Sequence, residues 1–286
     1  MAQLMNLLER TKHLLRLYKV SPRKRLGQNF VIDDSLLLRL LSYASIESED
    51  VILEVGAGFG FLTRLLAEKC EKVIAVEVDR NLIRVLETQL NDLENVELIE
   101  GDILDVPVPS FNKVVSIPPY SISSPMLFWL LERKFDCAVL LFQKEFAERL
   151  TASAGSKDYG RLTVTTYYFA DTELLEHVPR KMFYPPPKVD SVVVRLKPKK
   201  PPFRVEDEET FFELVRVMFT QRNKKVRNAI VPFLHKRRIV GKEATKLADS
   251  LPFHYRRVWE LAPEDFGALA NEIIHRTNRK TYSGKL

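Results

Sequence analysis

Between Val51 and Leu196, short apolar runs alternate with stretches of helical periodicity. Val51-Ile52-Leu53-Glu54-Val55 reads as a strand that ends at Gly56-Ala57-Gly58-Phe59-Gly60. Phe61 to Lys69 reads as a helix, Val73 to Glu77 as a strand and Asn81 to Leu90 as a helix. Val96 to Ile99 and Lys113 to Val115 follow as strands, then a helix from Pro125 to Arg133 and a strand from Cys137 to Phe142. A late strand, Ser191 to Leu196, closes the region. Strands interleaved with helices of this length predict an α/β domain built on a parallel, doubly wound sheet. Ahead of it, Leu4, Leu7, Leu8, Leu14, Leu15 and Tyr18 recur at helical spacing and predict an amphipathic helix lying against the body of the protein.

Lys197-Pro198-Lys199-Lys200-Pro201-Pro202 is too proline-rich for a helix or a central strand. A domain boundary is therefore expected there, with residues 1–200 as one domain (including an N-terminal helical arm, 1–30) and 201–286 as a second. From Glu208 to Arg276 the pattern is helical, broken by Pro232, Pro252 and Pro263, without a convincing strand.

Composition narrows the class. With 286 residues, 45% apolar, the chain has ample material for a packed core and is no disordered polymer. Its two cysteines, Cys70 and Cys137, exclude a disulfide scaffold or a four-cysteine zinc site and fit a reducing, cytoplasmic compartment. Both read as packing residues. Histidines 13, 177, 235, 254 and 275 are scattered without ligand spacing, so no metal is expected. No apolar run approaches the length of a membrane span, and Glu9, Arg10, Lys12, His13 and Arg16 break up the first twenty residues, which excludes a signal peptide.

The net charge of +6 says less than its placement. From Phe219 to Val240 the chain carries Arg222, Lys224, Lys225, Arg227, Lys236, Arg237 and Arg238 and no acid. Lys19, Arg23, Lys24 and Arg25 precede Leu26-Gly27-Gln28-Asn29-Phe30. One such cluster alone is as readily a solvated helix face; two in an enzyme-like chain point to a polyanionic partner. Arg222, Lys224, Lys225 and Arg227 are candidates for phosphate contacts, which position a nucleic acid without reading its sequence.

The glycine loop after the first strand lets backbone approach a ligand closely. Glu77, 21 residues beyond Gly56, can accept from both ribose hydroxyls. Nicotinamide-dinucleotide and S-adenosylmethionine folds share that pair. What separates them comes later: Glu100-Gly101-Asp102-Ile103, where a carboxylate can accept from an adenine amino group, and Ile117-Pro118-Pro119-Tyr120. An enzyme that methylates an exocyclic amine needs both, one to hold its cofactor and one to hold a planar base.

In order, Arg25 to Val31 (RLGQNFV), Glu54 to Gly58 (EVGAG), Val76 to Asp79 (VEVD), Tyr120 to Pro125 (YSISSP), Gln143 to Ala147 (QKEFA), Asp158 to Leu162 (DYGRL), Phe183 to Ser191 (FYPPPKVDS) and Phe219 to Lys224 (FTQRNK) resemble the small-subunit rRNA adenine dimethyltransferases, particularly their archaeal members. The resemblance covers nearly the whole chain. It implies a Rossmann-like S-adenosylmethionine-dependent methyltransferase sheet with a small C-terminal helical, RNA-contacting domain. It further implies methylation of the exocyclic amino nitrogen of two adjacent adenosines near the 3′ end of small-subunit rRNA, and a role in subunit biogenesis. The partner would be the immature small subunit and the protein a monomer. Matched position by position, the cofactor contacts fall on Asn29 and Val31 from the N-terminal segment, Gly56 beside the methionine part, Glu77 on the ribose and Asp102 on the adenine.

One motif departs from the family. Its fourth-strand pattern is Asn-Leu/Ile-Pro-Tyr/Phe, because an aryl amine is a weak nucleophile. The Asn oxygen and a neighbouring carbonyl accept both amino hydrogens, while the aromatic residue stacks on a base splayed out of its helix or loop. Here Ile117 stands where Asn belongs, and Ile has no acceptor. Pro118, Pro119 and Tyr120 agree with the broader amino-methyltransferase pattern. Tyr120 is the expected stacking residue and Pro118 part of the catalytic turn. Ser116 could replace the amide if the loop slips by one residue. Losing one polar group aimed at a transition state costs about 10²–10³ in rate, less than the ~10⁶-fold or larger acceleration of typical enzymes. Slow catalysis is therefore expected, the alternatives being a non-catalytic rRNA-binding assembly factor or a methyltransferase of another nucleic acid. Phe183 is a candidate second wall for the base, or a core residue. Gln143 and Glu145 read as residues of a buried turn.

Overall fold

A computed structural model of the chain describes residues 5–283, with side chains to 277. Leu4, the first position of the amphipathic pattern, lies outside the described residues. The chain forms two compact units: one runs up to Ala147 and resumes over Asp171–Pro198, the other comprises Glu148–Ala170 and the residues from Lys199 onward.

The first unit opens with α1 (Leu7–Leu17), started by a reciprocal cap in which Glu9 N–H donates to Asn6 Oδ1 and Asn6 N–H to Glu9 Oε2. Next come β1 (Phe30–Val31), α2 (Asp34–Ala44), β2 (Val51–Val55), α3 (Phe61–Ala67) and β3 (Lys72–Glu77). They are followed by α4 (Arg80–Gln89), β4 (Val96–Glu100), β5 (Lys113–Ser116), α5 (Ser123–Leu131), β6 (Cys137–Gln143) and α6 (Lys144–Leu150). After an excursion into the second unit, which contains α7 (Arg161–Phe169), the chain returns as β7 (Ala170–Val178), β8 (Phe183–Tyr184) and β9 (Ser191–Pro198).

The main sheet has the order β4-β3-β2-β5-β6-β9-β7. The five strands expected to be parallel are parallel, but β9 pairs antiparallel with β6, so the sheet is mixed. β7 was not evident in the sequence: its burial alternates poorly because it is the polar edge strand. Chain order reverses between β2 and β5, and the carboxyl ends of the parallel strands open there into the crevice where such sheets bind ligands. A separate two-stranded ladder joins β1 to β8, pairing Phe30 with Tyr184 and Val31 with Phe183.

The second unit holds α7, α8 (Glu208–Phe219), α9 (Val226–Ala229), α10 (Val231–Lys236), α11 (Gly241–Ser250) and α12 (Pro263–Ser283). The expected boundary at residue 200 falls two residues from the observed one, but 148–170 does not belong with the sheet as expected. Tyr159, Val164 and Tyr168 are buried in the helical core with Phe211, Phe233 and Phe266, and the Tyr168 ring centroid lies 5.2 Å from both Phe203 and Phe211. Tyr168, its hydroxyl donating to Glu208 at 2.9 Å, buries a large ring in that core and so ties its segment to the helices.

Cys70 and Cys137 are buried free thiols, and burial pushes Cys70 up to about 11, so neither is a ready nucleophile. Among the described residues no helix is long and apolar enough to cross a membrane, and no group of His, Cys, Asp and Glu is placed to hold a metal ion.

Candidate active site

Four strand ends supply the crevice. After β2 the chain turns through Gly56 at φ +80°, a conformation L side chains rarely adopt. A Cβ there would lie 3.0 Å from Pro119 Cδ, so the glycine turn and the Pro-Pro-Tyr turn after β5 close against each other. Gly56 N–H still donates to Val76 O at 2.8 Å, which holds the turn on β3.

Glu77 ends β3 and is buried. Its Oε2 accepts from Gly58 N–H at 3.0 Å, and Oε1 accepts from Val78 N–H at 3.0 Å and Asp79 N–H at 2.9 Å. Burial raises its pKa, and those three donors oppose the rise. With three of roughly four acceptor positions filled, about one remains for a ligand, fewer than the two ribose contacts expected. Asp102 follows β4; its Oδ1 accepts from Leu104 N–H at 3.0 Å, fixing the carboxylate at the rim.

The N-terminal segment forms a cover. Gln28 Nε2 donates to Asp79 Oδ2 at 2.9 Å, Arg23 N–H donates to Gln28 Oε1 at 2.8 Å, and Arg23 pairs with Asp79 at 3.3 Å. Asn29 Nδ2 donates to Gly27 O at 3.0 Å, and Val31 is clamped in the β1–β8 ladder. These bonds explain how a segment of little regular structure holds Asn29 and Val31 over the glycine turn.

Three clefts share this ground. The first is lined by Gly27, Asn29, Gly56, Gly58, Glu77 and the Ile117-Pro118-Pro119-Tyr120 turn, so an open path joins the glycine turn to Tyr120. The second, of about 280 Å³, runs from Gly56 and Glu77 to Asp102, Ile103 and Ile122. The third lies between Asn29, Val31, Glu54, the glycine turn and Ile117. All five expected cofactor residues line one or more of them.

Glu54 was missed. It sits mid-strand in an otherwise apolar run, 2% exposed, and burial pushes its carboxyl up to about 8. Thr63 acts against that rise and Glu77 adds to it, yet neither Glu54 Oε2 nor Thr63 Oγ1 has a hydrogen-bond partner. A buried, unpartnered carboxyl oxygen facing a cleft costs about 1–3 kcal/mol and fits a site for a cationic group. An acidic residue inside Val51-Ile52-Leu53-Glu54-Val55 was the available signal.

The turn after β5 divides the expected catalytic residues. Pro118 and Tyr120 line the first cleft. The Tyr120 and Ser191 hydroxyls share a hydrogen bond of 2.6 Å, and burial, opposed by that bond, raises the phenol to about 12; the side chain is a neutral, anchored ring. Ser116 is a correction. It is fully buried, its Oγ donates to Val55 O at 2.7 Å and accepts from Val55 N–H at 3.1 Å, and it lines none of the three clefts. The one-residue slip is not taken: the hydroxyl ties β5 to β2, and its remaining lone pair is buried away from the three clefts. Ile117, partly exposed, occupies the Asn position in both the first and third clefts.

Phe183 is likewise corrected. At 2% exposed it packs in the sheet core with Val31 and Val178 and lines none of the three clefts. Glu145 is exposed on the first turn of α6 and Gln143 is half-buried, so neither belongs to a buried turn. In the second unit Arg222 is not a free phosphate ligand: its Nη1 donates to Lys157 O at 2.7 Å and its Nη2 to Ser156 O at 3.0 Å. Lys224 and Lys225 are exposed at the start of α9. Arg227 pairs with Asp249, and Lys236 and Arg237 with Glu213, so part of the acid-free cluster is neutralised by α8 and α11.

The profile of the family described as ribosomal RNA adenine dimethylase matches residues 20–262. A probable ribosomal RNA small subunit methyltransferase A from Methanosarcina acetivorans is 45% identical over 254 residues, covering 88% of this chain and 94% of that one. Its counterpart from Methanopyrus kandleri is 42% identical over 273 residues, covering 94% and 98%. Among solved structures, a dimethyladenosine transferase from Plasmodium falciparum superposes with a TM-score of 0.76 at 31% identity, covering 87% of this chain and 98% of that one. The 23S rRNA methyltransferase ErmE follows with 0.62 at 30% identity, covering 85% and 98%. By these likenesses the chain belongs to the ribosomal RNA adenine dimethylase family.

Proposed function

We propose that this protein transfers methyl groups from S-adenosylmethionine to the exocyclic amine of adenosine in small-subunit rRNA, at two adjacent residues near the 3′ end, on the immature subunit. The observation that carries the reading is the pair of adjoining clefts at the switch point of the sheet that share Gly56, Glu77 and Pro119, one reaching Tyr120 and the other Asp102.

The residues present fit the cofactor. Asp102 would accept from its adenine amine, Glu77 from its ribose, and the unpartnered Glu54 carboxyl, with Asn29, Val31 and Gly56, would hold its methionine end. When bound, it supplies a methyl group on a sulfonium centre. The chain supplies the rest. Tyr120 offers a ring whose edge is fixed by Ser191, a stacking surface worth about 1–3 kcal/mol per base. The Pro118 carbonyl is the acceptor that would hold one amino hydrogen and aim the nitrogen's lone pair. The second acceptor of the family motif is absent at Ile117, so the amine is held by one contact in place of two. Lys224 and Lys225, exposed and basic, would take phosphates. The protein acts as a monomer in the cytoplasm on this reading.

Ile117 favours one second reading, a non-catalytic assembly factor that retains the RNA-binding surface. Tritiated methyl transfer to immature small subunits separates the two, with Asp102→Ala as the background. Incorporation above that background, mapped by primer-extension arrest to adjacent adenosines, supports the enzyme. No incorporation leaves the assembly role, and arrest in another RNA identifies a different substrate.

A further inference from the structure

The turn after β5 offers a base few hydrogen-bonding groups, and the few that remain favour one state of the amine over another. Pro118 and Pro119 carry no N–H. Pro119 O already accepts from Ile122 N–H at 3.1 Å, and the Ile117 carbonyl faces the glycine turn, 3.8 Å from where a Cβ on Gly56 would sit. Ser116 is bonded to Val55. Pro118 O has no donor among the described residues, so one acceptor is open to a base held against Tyr120.

Ile117 stands at the junction of two clefts. On one side is the cleft that reaches Tyr120; on the other is the third cleft, whose walls include Phe30, Leu37, Phe59, Phe61 and Leu62. The polar side chains of that third cleft, Asn29 and Glu54, are the ones that would hold the methionine end of the cofactor. Ile117 itself packs against the sheet core, which fixes an apolar surface beside Pro118.

An unmodified adenine amine has two N–H groups. Pro118 O can take one, and the other loses its water against Ile117 without gaining an acceptor. A buried donor left unpaired weakens binding about 5- to 150-fold. N6-methyladenine has a single N–H for the single acceptor, and its methyl group meets Ile117 as apolar surface on apolar surface. N6,N6-dimethyladenine has no N–H at all and leaves Pro118 O unpaired.

We infer that Ile117 makes this site selective for an adenosine whose amine already carries one methyl group. The inference rests on the methyl-transfer reading above for the identity of the base, and sharpens it: the second transfer is favoured over the first. In that transfer the amine nitrogen's lone pair forms the bond to the methyl carbon, the carbon–sulfur bond breaks with its electron pair left on sulfur, and the remaining N–H proton passes to water. The first transfer is then the slow one, the monomethylated base does not accumulate, and an adenosine monomethylated by another N6-methyltransferase is a better substrate than an unmodified one.

The test uses the full chain and three otherwise identical RNA hairpins whose loop adenosine is unmodified, monomethylated or dimethylated at N6. Affinity is read by fluorescence anisotropy with S-adenosylhomocysteine saturating, so the cofactor's own adenine site is filled and no transfer occurs. Phosphate contacts are the same for all three RNAs and cancel. The monomethylated RNA should bind tightest, about 5- to 150-fold tighter than the unmodified one and tighter than the dimethylated one. Ile117→Asn supplies the second acceptor and should remove or reverse the gap between unmodified and monomethylated RNA; intrinsic stacking differences between the bases are equal in both proteins. Should that variant fail to fold, Ile117→Thr brings an acceptor on a β-branched side chain and carries the same expectation. Equal affinities in the parent protein overturn the inference. So does affinity that rises with each added methyl, which is a general apolar preference, or an order that neither variant changes. Single-turnover transfer with the cofactor then separates the two readings: the binding order without transfer to any RNA sinks the methylation reading and leaves this one, whereas transfer without the preference does the reverse.

Discussion

Ile117→Asn is predicted to make the protein faster. The Ile side chain lines both the first and third clefts, beside Pro118, and carries no acceptor where an amine must be held. Ser116, the neighbouring residue in the chain, is buried and bonded to Val55. An amide at 117 would add one polar contact aimed at the transition state, a contribution of about 1.4–4 kcal/mol, or about 10- to 10³-fold in rate. The cost to stability is modest: Ile117 is only partly buried against the sheet core, so removing its apolar surface costs about 1 kcal/mol. The assay is single-turnover transfer of a tritiated methyl group to immature small subunits at saturating cofactor. Ile117→Ala is the control, because it opens the same space without an acceptor. If Asn is no faster than Ala while cofactor affinity is retained, the missing acceptor is not what limits this site, and the argument from amine geometry is wrong.

Ser116→Ala should behave as a structural lesion. Two hydrogen bonds to β2 are lost inside the sheet, about 2 kcal/mol in all, which lowers the melting temperature by about 4–8 °C and leaves the single-turnover rate within about threefold; a rate loss of a hundredfold at unchanged melting temperature would restore its catalytic role. Tyr120→Ala should raise KM for RNA by about 5- to 150-fold through lost stacking, whereas Tyr120→Phe, which loses only the bond to Ser191, stays within tenfold; equal effects would mean the hydroxyl, not the ring, matters. For Glu54, the folded value of about 8 lies above the ordinary 4.5, so its contribution to stability is full below about pH 4.5 and lost as pH rises through 8. The cofactor-free protein should therefore melt progressively earlier as pH rises from about 5 to 8, and Glu54→Gln should flatten that decline. Calorimetry at pH 7 should also record close to one proton released per cofactor bound, absent in Glu54→Gln; no release in the parent protein would mean that the carboxyl stays protonated and does not meet a cation.

What could be read from the sequence, and what could not, follows from the range of the interactions involved. Glycine at a forced φ, an acid at a strand end and periodic apolar runs are local consequences of backbone geometry, so β2 to β6, Gly56, Glu77 and Asp102 stood out from the chain alone. The β1–β8 ladder is two residues long on each side and has no local signature; it exists because segments far apart in the sequence are brought together, and it packs Val31 and Phe183 side by side in one core, with Val31 alone reaching the edge of the third cleft. Ser116 and Glu54 invert expectation for a related reason. Both are polar residues in apolar strands, and a strand pattern cannot say whether such a group is satisfied across the ladder. Ser116 is, twice over; Glu54 Oε2 is not. That difference separates a polar residue that holds the sheet together from one kept at a cost in stability for a ligand, and it makes Glu54, rather than the expected Ser116, the residue beside the glycine turn whose chemistry the fold alone leaves unexplained.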